Sequence, residues 1–274
     1  MTNSLILDFS GTPPATFGEI GFLEHISLNG CSEWVTDEII ESLSVGRKLI
    51  SVSLFRCWRI TDRSLYYLLR HNGSTLKYLS LSGCTNISDK ALLYISRFSI
   101  GGIDSIDLTR CPRISDVGIN HLSGSPSISH SLKKIRLYAD SQLGSSAHEA
   151  IKEFKSLEEL DLCGHSQLTD KALSRIMKEC PNLRSLNLSW CTSLSNVVIR
   201  DIIEGSLLEH VETLSLFGNS AMSDVSDLVD YLAEKNTIRE LDVRGIPEVA
   251  HLSAHDCEGL RKRLPTLENW KLHT

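Results

Sequence analysis

The sequence lacks the features that would place it in a membrane or in the secretory pathway. No apolar run is long enough to span a bilayer. The opening residues, MTNSLILDFSGTPP, do not show the charged segment followed by an apolar one that marks a signal peptide. We therefore expect a cytoplasmic or nuclear protein without membrane contact, whose eight cysteines stay reduced.

The sequence also lacks an excess of basic residues. Lysine and arginine together number 28, against 34 aspartates and glutamates, which gives a formal net charge of -6. Proteins that bind nucleic acid through its phosphates normally present a basic surface. A nucleic-acid partner is therefore not expected.

The usual signatures of catalysis are missing as well. The sequence contains no G-x-S-x-G, no P-loop, no H-E-x-x-H and no C-x-x-C pair. We predict that the chain is not an enzyme and that it binds no metal and no cofactor.

What the sequence does contain is a repeat, and residues 76–95, LKYLSLSGCTNISDKALLYI, show one unit of it. Leu79 and Leu81 alternate as they would in a strand with one buried face. Leu92 and Ile95 are three residues apart, as on one face of a helix. Each unit is therefore predicted to be a strand, a turn and a helix.

The unit recurs along nearly the whole chain in steps of 25 to 29 residues, which is the period of leucine-rich repeats. It predicts an α/β fold: a right-handed leucine-rich-repeat solenoid, a horseshoe like that of ribonuclease inhibitor, with an inner parallel sheet and outer helices. Residues 1–22 are predicted to form an edge strand and a loop, residues 23–274 nine repeats and a closing strand, and residues 122–131 a flexible turn. The aligned first positions are Leu23, Leu49, Leu76, Ile103, Leu132, Leu157, Leu183, Val211, Ile238 and, for the closing strand, Leu267.

Two further positions recur in the turn of the unit. A cysteine three residues after the last strand leucine is predicted to be a small buried group at a tight corner. Five residues further on, most units have an aspartate preceded by Ser or Thr, and such residues at a helix start are predicted to accept bonds from its free amides and to favour its positive end. Asp140, His165 and Asn219 stand at the cysteine corner in other units, so His165 is more simply a structural substitute than a zinc ligand with Cys163. The corner cysteines are Cys31, Cys57, Cys84, Cys111 and Cys191, and the aspartates are Asp62, Asp89, Asp116, Asp170 and Asp224.

The pattern L-x-x-L-x-L-x-x-C followed by I-S/T-D resembles the cysteine-containing leucine-rich repeats of F-box proteins, over residues 23–272. CTNISDKAL, CPRISDVGI and ECPNLRSLNLSWC, the last at 179–191, each match several positions of that pattern. In such proteins the F-box docks the Skp adaptor of a cullin-based SCF ubiquitin ligase, and the repeats hold the protein substrate. The resemblance implies a role in substrate recognition for ubiquitin-dependent protein degradation.

The F-box itself is not visible, because no helical F-box pattern fits between Met1 and Leu23. One interpretation is a truncated form, whose partners include Skp and cullin when an F-box is supplied upstream. The other is a resemblance to the F-box-less branch that includes antagonist of mitotic exit network. That branch implies an F-box-independent scaffold or inhibitor that binds a regulatory protein. A GTPase-activating repeat protein ranks lower, because its corners are of the asparagine type.

The strand face and the residues just beyond it form the predicted binding surface. Nine strands spaced by ~4.8 Å give a concave face roughly 40 Å long, enough for a protein partner. Exposed aromatic and arginine side chains are the types that dominate binding energy. Packing of the rings on neighbouring repeats is the alternative, and Lys133, Lys134 and Arg136 have the alternative of pairing with the acids at 158, 159 and 161. The predicted protein-binding residues are Phe55, Arg56, Tyr78, Arg110, Lys134, Arg136, Tyr138, Trp190 and Phe217.

Overall fold

The computed structural model describes residues 7–8, 23–140, 142–223, 225–250 and 253–271. The chain divides into two compact units, Met1–Leu143 and Gly144–Thr274. In both units short parallel strands alternate with helices in chain order. The α/β leucine-rich-repeat fold predicted from the sequence is confirmed.

The described residues of the first unit form six strands, each paired in parallel with the next along the chain. They are β1 Leu7–Asp8, β2 His25–Ser27, β3 Ser51–Ser53, β4 Tyr78–Ser80, β5 Ser105–Asp107 and β6 Lys134–Arg136. The helices between them are α1 Asp37–Ser44, α2 Asp62–Asn72, α3 Asp89–Phe98, α4 Asp116–Ser123 and α5 Pro126–Ser129. Of the predicted N-terminal edge strand and loop, Leu7–Asp8 pairs with β2, and residues 1–6 and 9–22 lie outside the described part of the chain.

In the part of the second unit that the structure describes there are five strands, again paired in parallel and in order. They are β7 Glu159–Asp161, β8 Ser185–Asn187, β9 Thr213–Ser215, β10 Glu240–Asp242 and β11 Asn269–Lys271. Its helices are α6 Ser145–Ile151, α7 Asp170–Glu179, α8 Asn196–Glu204, α9 Val225–Lys235, α10 Pro247–Ala250 and α11 Ala254–Lys262. Asp224, one of the recurring aspartates, lies outside the described residues.

The register of the strands follows the leucine pattern of the sequence. From β2 onward each strand begins two residues after the aligned first position of its repeat. Its middle residue points inward, as Leu79 does in the first unit and Leu186 in the second, both at most 2% exposed. Burying one such aliphatic side chain stabilises the fold by ~1.5–3 kcal/mol, so these ladders are the main source of stability.

The corner cysteines connect one repeat to the one before it. They are buried, as predicted, and four of the five thiols, those of Cys57, Cys84, Cys111 and Cys191, donate to the carbonyl of the last strand leucine of the preceding repeat. Cys57 donates to Leu28 at 3.2 Å and Cys84 to Leu54 at 3.0 Å. Asn219, at the same corner, donates its amide to the Leu188 carbonyl at 2.9 Å. At these corners a compact side chain donates to the preceding repeat, so the prediction of a merely apolar group was incomplete.

The aspartates also connect repeats, in the opposite direction along the chain. Asp62 accepts from the amide and the hydroxyl of Ser88 in the next repeat at 2.8 and 2.6 Å. Asp89 does the same to Ser115, at the same two distances. The helix amides are capped instead by the Ser or Thr that precedes the aspartate, as Ser88 caps Lys90. The predicted bond from the aspartate to its own helix is therefore wrong at these positions.

Residues 122–131 are a packed segment in which the chain makes a helical turn. Pro126 begins this turn, α5, where its fixed φ suits the first helical position. Ile128 is fully buried, and the hydroxyl of Ser125 donates to the carbonyl of Ser96 at 3.0 Å. The prediction of a flexible turn is wrong here, because an isolated apolar residue anchors a segment that otherwise looks like a loop.

Candidate functional site

The hydrogen-bond ladder of the strands continues for two residues past the last strand leucine of each repeat, and these two residues form what we call the ledge. In the first unit the amide of Arg56 donates to the Ser82 carbonyl at 2.8 Å, and that of Arg110 donates to Tyr138 at 3.0 Å. In the second unit the Trp190 amide donates to the Phe217 carbonyl at 2.6 Å. The ledge is therefore a rigid extension of the sheet within each unit.

The second ledge position has a left-handed backbone in every repeat. Five repeats place glycine there: Gly30, Gly83, Gly164, Gly218 and Gly245. Arg56 (φ 59°), Arg110 (φ 55°), Ala139 (φ 60°) and Trp190 (φ 59°) hold the same conformation with a side chain. For such residues the left-handed region costs ~1–2 kcal/mol. The glycines before the corner in N-G-C, S-G-C and F-G-N were the sequence signal for this geometry, and sequence reasoning missed it.

The first unit presents its ledge aromatics together with arginines. Phe55 is 39% exposed, and the Arg56 guanidinium carbon lies 5.1 Å from its ring centre. Arg110 lies 5.4 Å from the ring centre of Tyr138, which is half-buried. Tyr78, on β4, is 46% exposed. The arginines shield one face of the ledge rings and leave their own charges in solvent.

Two further predicted residues of the first unit lie on β6. Lys134 is half-buried and Arg136 is exposed, and both point away from the buried Ile135 between them. They belong to the strand face, beside the ledge residue Tyr138 of the same repeat.

The second unit stacks its predicted ledge residues on each other. Trp190 is 50% exposed, and its ring meets that of Phe217 edge-on, with centroids 5.0 Å apart. Phe217 is half-buried, with Arg244 lying 4.6 Å above its ring centre. A Cβ on Gly218 would come within 2.7 Å of the Trp190 ring. Trp190 therefore packs on a neighbouring repeat and is still half exposed.

Sequence reasoning missed three exposed residues that follow the corner. Trp58 is 51% exposed. Arg59 and Arg113 are exposed too, each two residues after a corner cysteine. The triplets C-W-R and C-P-R were the signal for these residues, but they lie just beyond the ledge positions that the prediction included.

The buried cysteines and histidines do not form a reactive centre. Burial raises the pKa of the Cys57, Cys84 and Cys191 thiols to about 12, so they are protonated at neutral pH and poor nucleophiles. His165 is buried at its corner, with Nδ1 3.0 Å from Nε2 of His148 on α6, a neighbour that the sequence did not reveal. No group of three metal-ligating side chains occurs among the residues that the structure describes.

A surface groove of about 860 Å³ lies between α7 and α8, on the helix side of the second unit. Lys171 and Lys178 line it from one helix, and Asp201 and Glu204 from the other. Ser174 hydrogen-bonds Asp201 between the two helices. Both signs of charge line the groove, so it favours no one class of ligand, and the ledge remains the better candidate site.

Comparisons with known proteins agree with this fold. The family described as Leucine Rich repeat matches residues 74–96 and 179–197. The leucine-rich repeat-containing protein LegL7 from Legionella pneumophila is 17% identical, with a TM-score of 0.55 over 97% of this chain and 89% of that one. A chain in the crystal structure of the yeast Rad7 and Elc1 complex is 18% identical, with a TM-score of 0.53 over 74% of this chain. The match spans 65% of that yeast chain.

At these identities the likeness concerns the fold. In the ranges that the structure describes, no helix is both long enough and apolar enough to cross a membrane.

Proposed function

We propose that this chain is a protein-binding leucine-rich-repeat module whose contact surface is the ledge together with the adjoining strand face. The observation that carries the proposal is the occupant of the second ledge position. Arg56, Arg110 and Trp190 hold a left-handed backbone that neighbouring repeats assign to glycine. Locally unfavourable backbone of this kind persists where the surrounding structure holds it, and it is concentrated at ligand-binding and active sites.

The chemistry of the ledge suits a protein partner. In alanine scans, tryptophan, tyrosine and arginine are enriched among the residues whose truncation costs about 2 kcal/mol or more of binding free energy. Trp190 and Phe55 are 50% and 39% exposed, yet each is held by packing against a neighbouring side chain. Pre-organised rings lose little entropy on binding, which favours their use as anchors.

The proposed role of the bound protein is that of a substrate for an SCF-type E3 ubiquitin ligase, in the cytoplasm or the nucleus. The cysteine and aspartate pattern that resembles F-box leucine-rich repeats supports this role, and the structure gives both residues a physical task between repeats. Further support comes from the chain of the Rad7 and Elc1 complex, because that chain has a similar fold and is found in complex with a second protein.

Quantitative affinity purification from cells tests this proposal. The bait is expressed as the 274-residue chain and, separately, from its full open reading frame. We expect the second bait to recover Skp and cullin together with a further protein, and we expect Trp190→Ala to lose the further protein but not Skp or cullin. A ledge-dependent partner without Skp or cullin would favour the F-box-independent scaffold or inhibitor. Recovery of the same partners by the wild type and by Trp190→Ala would refute the ledge as the contact surface.

A further inference from the structure

Four arginines of the first unit occupy equivalent places in two repeats. Arg56 and Arg110 are the second ledge residues of repeats two and four, and Arg59 and Arg113 follow three residues later. All four side chains are exposed. We call these four residues the arginine band.

The arginine band carries uncompensated charge. None of its four guanidinium groups lies within ion-pair distance of a carboxylate in the part of the chain that the structure describes. Other arginines do have an acidic partner: Arg63 on α2 lies 3.2 Å from Glu38, and Arg184 lies 2.7 Å from Glu212. A protein with a net charge of -6 thus keeps these four positive charges unpaired on one side of one unit.

The strand face beside the band offers hydroxyl groups rather than competing acids. Its outward residues on β3, β4 and β5 include Ser51, Ser53, Ser80 and Ser105. The acid on these strands, Asp107, accepts from the amide of Thr109 at 3.0 Å, within its own turn. In the second unit, by contrast, the outward strand residues include the acids Glu159, Asp161, Glu240 and Asp242. Of these two sets of outward strand residues, the set beside the band in the first unit is therefore the better complement to an anionic partner.

The spacing of the band fits an extended peptide that crosses the repeats. The amide of Arg56 bonds to Ser82, and that of Gly83 bonds to Thr109 at 2.8 Å, so Arg56 and Arg110 are two ladder spacings apart. Two spacings amount to about 10 Å, which an extended chain covers in about three residues. Gly83 lies between the two arginines with no side chain, which leaves room above it for the Arg56 stem.

Apolar surface flanks the band. Trp58 is 51% exposed and Phe55 39%, and both belong to the same repeat as Arg56 and Arg59. A purely polyanionic ligand would leave these rings without contact. Arginine forms charge-assisted, often bidentate bonds to carboxylates, while the rings favour aliphatic or aromatic neighbours.

We propose that the arginine band binds an acidic segment of a partner protein in extended polyproline II conformation, whose three residues per turn place carboxylates three residues apart on one face, with apolar side chains between them. This inference rests on the proposed protein-binding function and names the chemistry of one partner segment. The band supplies the cations, Ser51, Ser80 and Ser105 supply hydroxyl groups, and Phe55 and Trp58 supply apolar contact.

Fluorescence anisotropy tests the inference with a labelled twelve-residue peptide that repeats glutamate, leucine and serine, and with the same peptide carrying glutamine for glutamate. We expect the acidic peptide to bind at least tenfold more tightly than the glutamine peptide, and its affinity to fall as salt rises from 50 to 300 mM. The double variant Arg56→Gln/Arg110→Gln should lose at least tenfold in affinity. Arg63→Gln, an exposed arginine on α2 that already has acidic partners, is the matched control and should bind as the wild type does.

Equal affinity for the two peptides would overturn the inference, as would an equal loss in the Arg63→Gln control. Tighter binding of an oligouridine of the same length, or of vesicles rich in phosphatidylserine, would assign the band to another anion. A second double variant, Arg56→Gly/Arg110→Gly, removes the same two charges but places glycine in the left-handed backbone conformation, as Gly83 does in the repeat between them. It should therefore stay folded, which thermal melts followed by circular dichroism check. Absence of peptide binding by the wild type, with Trp190-dependent capture of a partner retained, would refute this inference alone, and absence of both would refute the proposed function as well.

Discussion

The aspartate ladder makes a quantitative prediction at Asp89. Its carboxylate accepts from the amide of Ser115 at 2.8 Å, from the Ser115 hydroxyl at 2.6 Å and from the amide of Gly118 at 3.1 Å. Hydrogen bonds to a charged group contribute ~1.5–3 kcal/mol each, and the released donors regain part of this from water. We therefore expect Asp89→Ala to destabilise the first unit by ~2–4 kcal/mol.

Urea unfolding, followed by circular dichroism at 222 nm, measures the effect. Asp89→Asn should lose much less than Asp89→Ala, because Asn196 fills the equivalent place and bonds both the amide and the hydroxyl of Ser223. The control is Glu38→Ala, which removes an exposed carboxylate from α1 and should leave the midpoint nearly unchanged. In a double-mutant cycle, Asp89→Ala and Ser115→Ala should be coupled by ~1–2 kcal/mol. A loss below ~1 kcal/mol for Asp89→Ala, or purely additive effects in the cycle, would refute the inter-repeat role.

Two further predictions concern the corners. The thiol of Cys84, whose pKa burial raises to about 12, should resist alkylation in the native protein at pH 8 and react fully in 6 M guanidinium; rapid native alkylation would contradict its burial. Burial also raises the pKa of Asp140 to about 8, so between about pH 4 and pH 8 the folded state holds a proton that the unfolded state has released. The contribution of Asp140 to the free energy of unfolding should therefore fall as the pH rises through this range. Asp140→Asn keeps an acceptor for the amide of Cys111 and gains the donor that Asn219 uses, so it should raise the melting temperature more at pH 8 than at pH 5; an equal shift at both pH values would refute this linkage.

The sequence predicted those features that repeat and those that depend on burial. The spacing of Leu76, Leu79 and Leu81 located the strands, since a buried face imposes a period of two. The cysteines were located correctly, but their bonds were not, because a thiol was treated as an apolar group. The aspartate was placed correctly, yet its partner lies one repeat away, at a contact that local capping rules do not describe.

The candidate site was less accessible from sequence. Exposure of Trp190 and half-burial of Phe217 depend on which ring lies over Gly218, and the packing of a single repeat does not determine this. The left-handed backbone at Arg56 and Arg110 was readable only by comparison with the glycines at the same position. The contact between His148 and His165 joins a helix to a corner and leaves no periodic signal.

If the ledge, rather than the helix side, contacts the partner, truncating a side chain on each surface should have different effects on binding. Trp190→Ala and Val197→Ala each remove an exposed apolar side chain from the second unit, 50% exposed on the ledge and 42% exposed on α8. Titration calorimetry of the purified partner recovered from cells should show at least a tenfold loss of affinity for Trp190→Ala and an unchanged affinity for Val197→Ala, with both variants folded by circular dichroism. Equal affinities for the two variants, or a loss confined to Val197→Ala, would contradict the account.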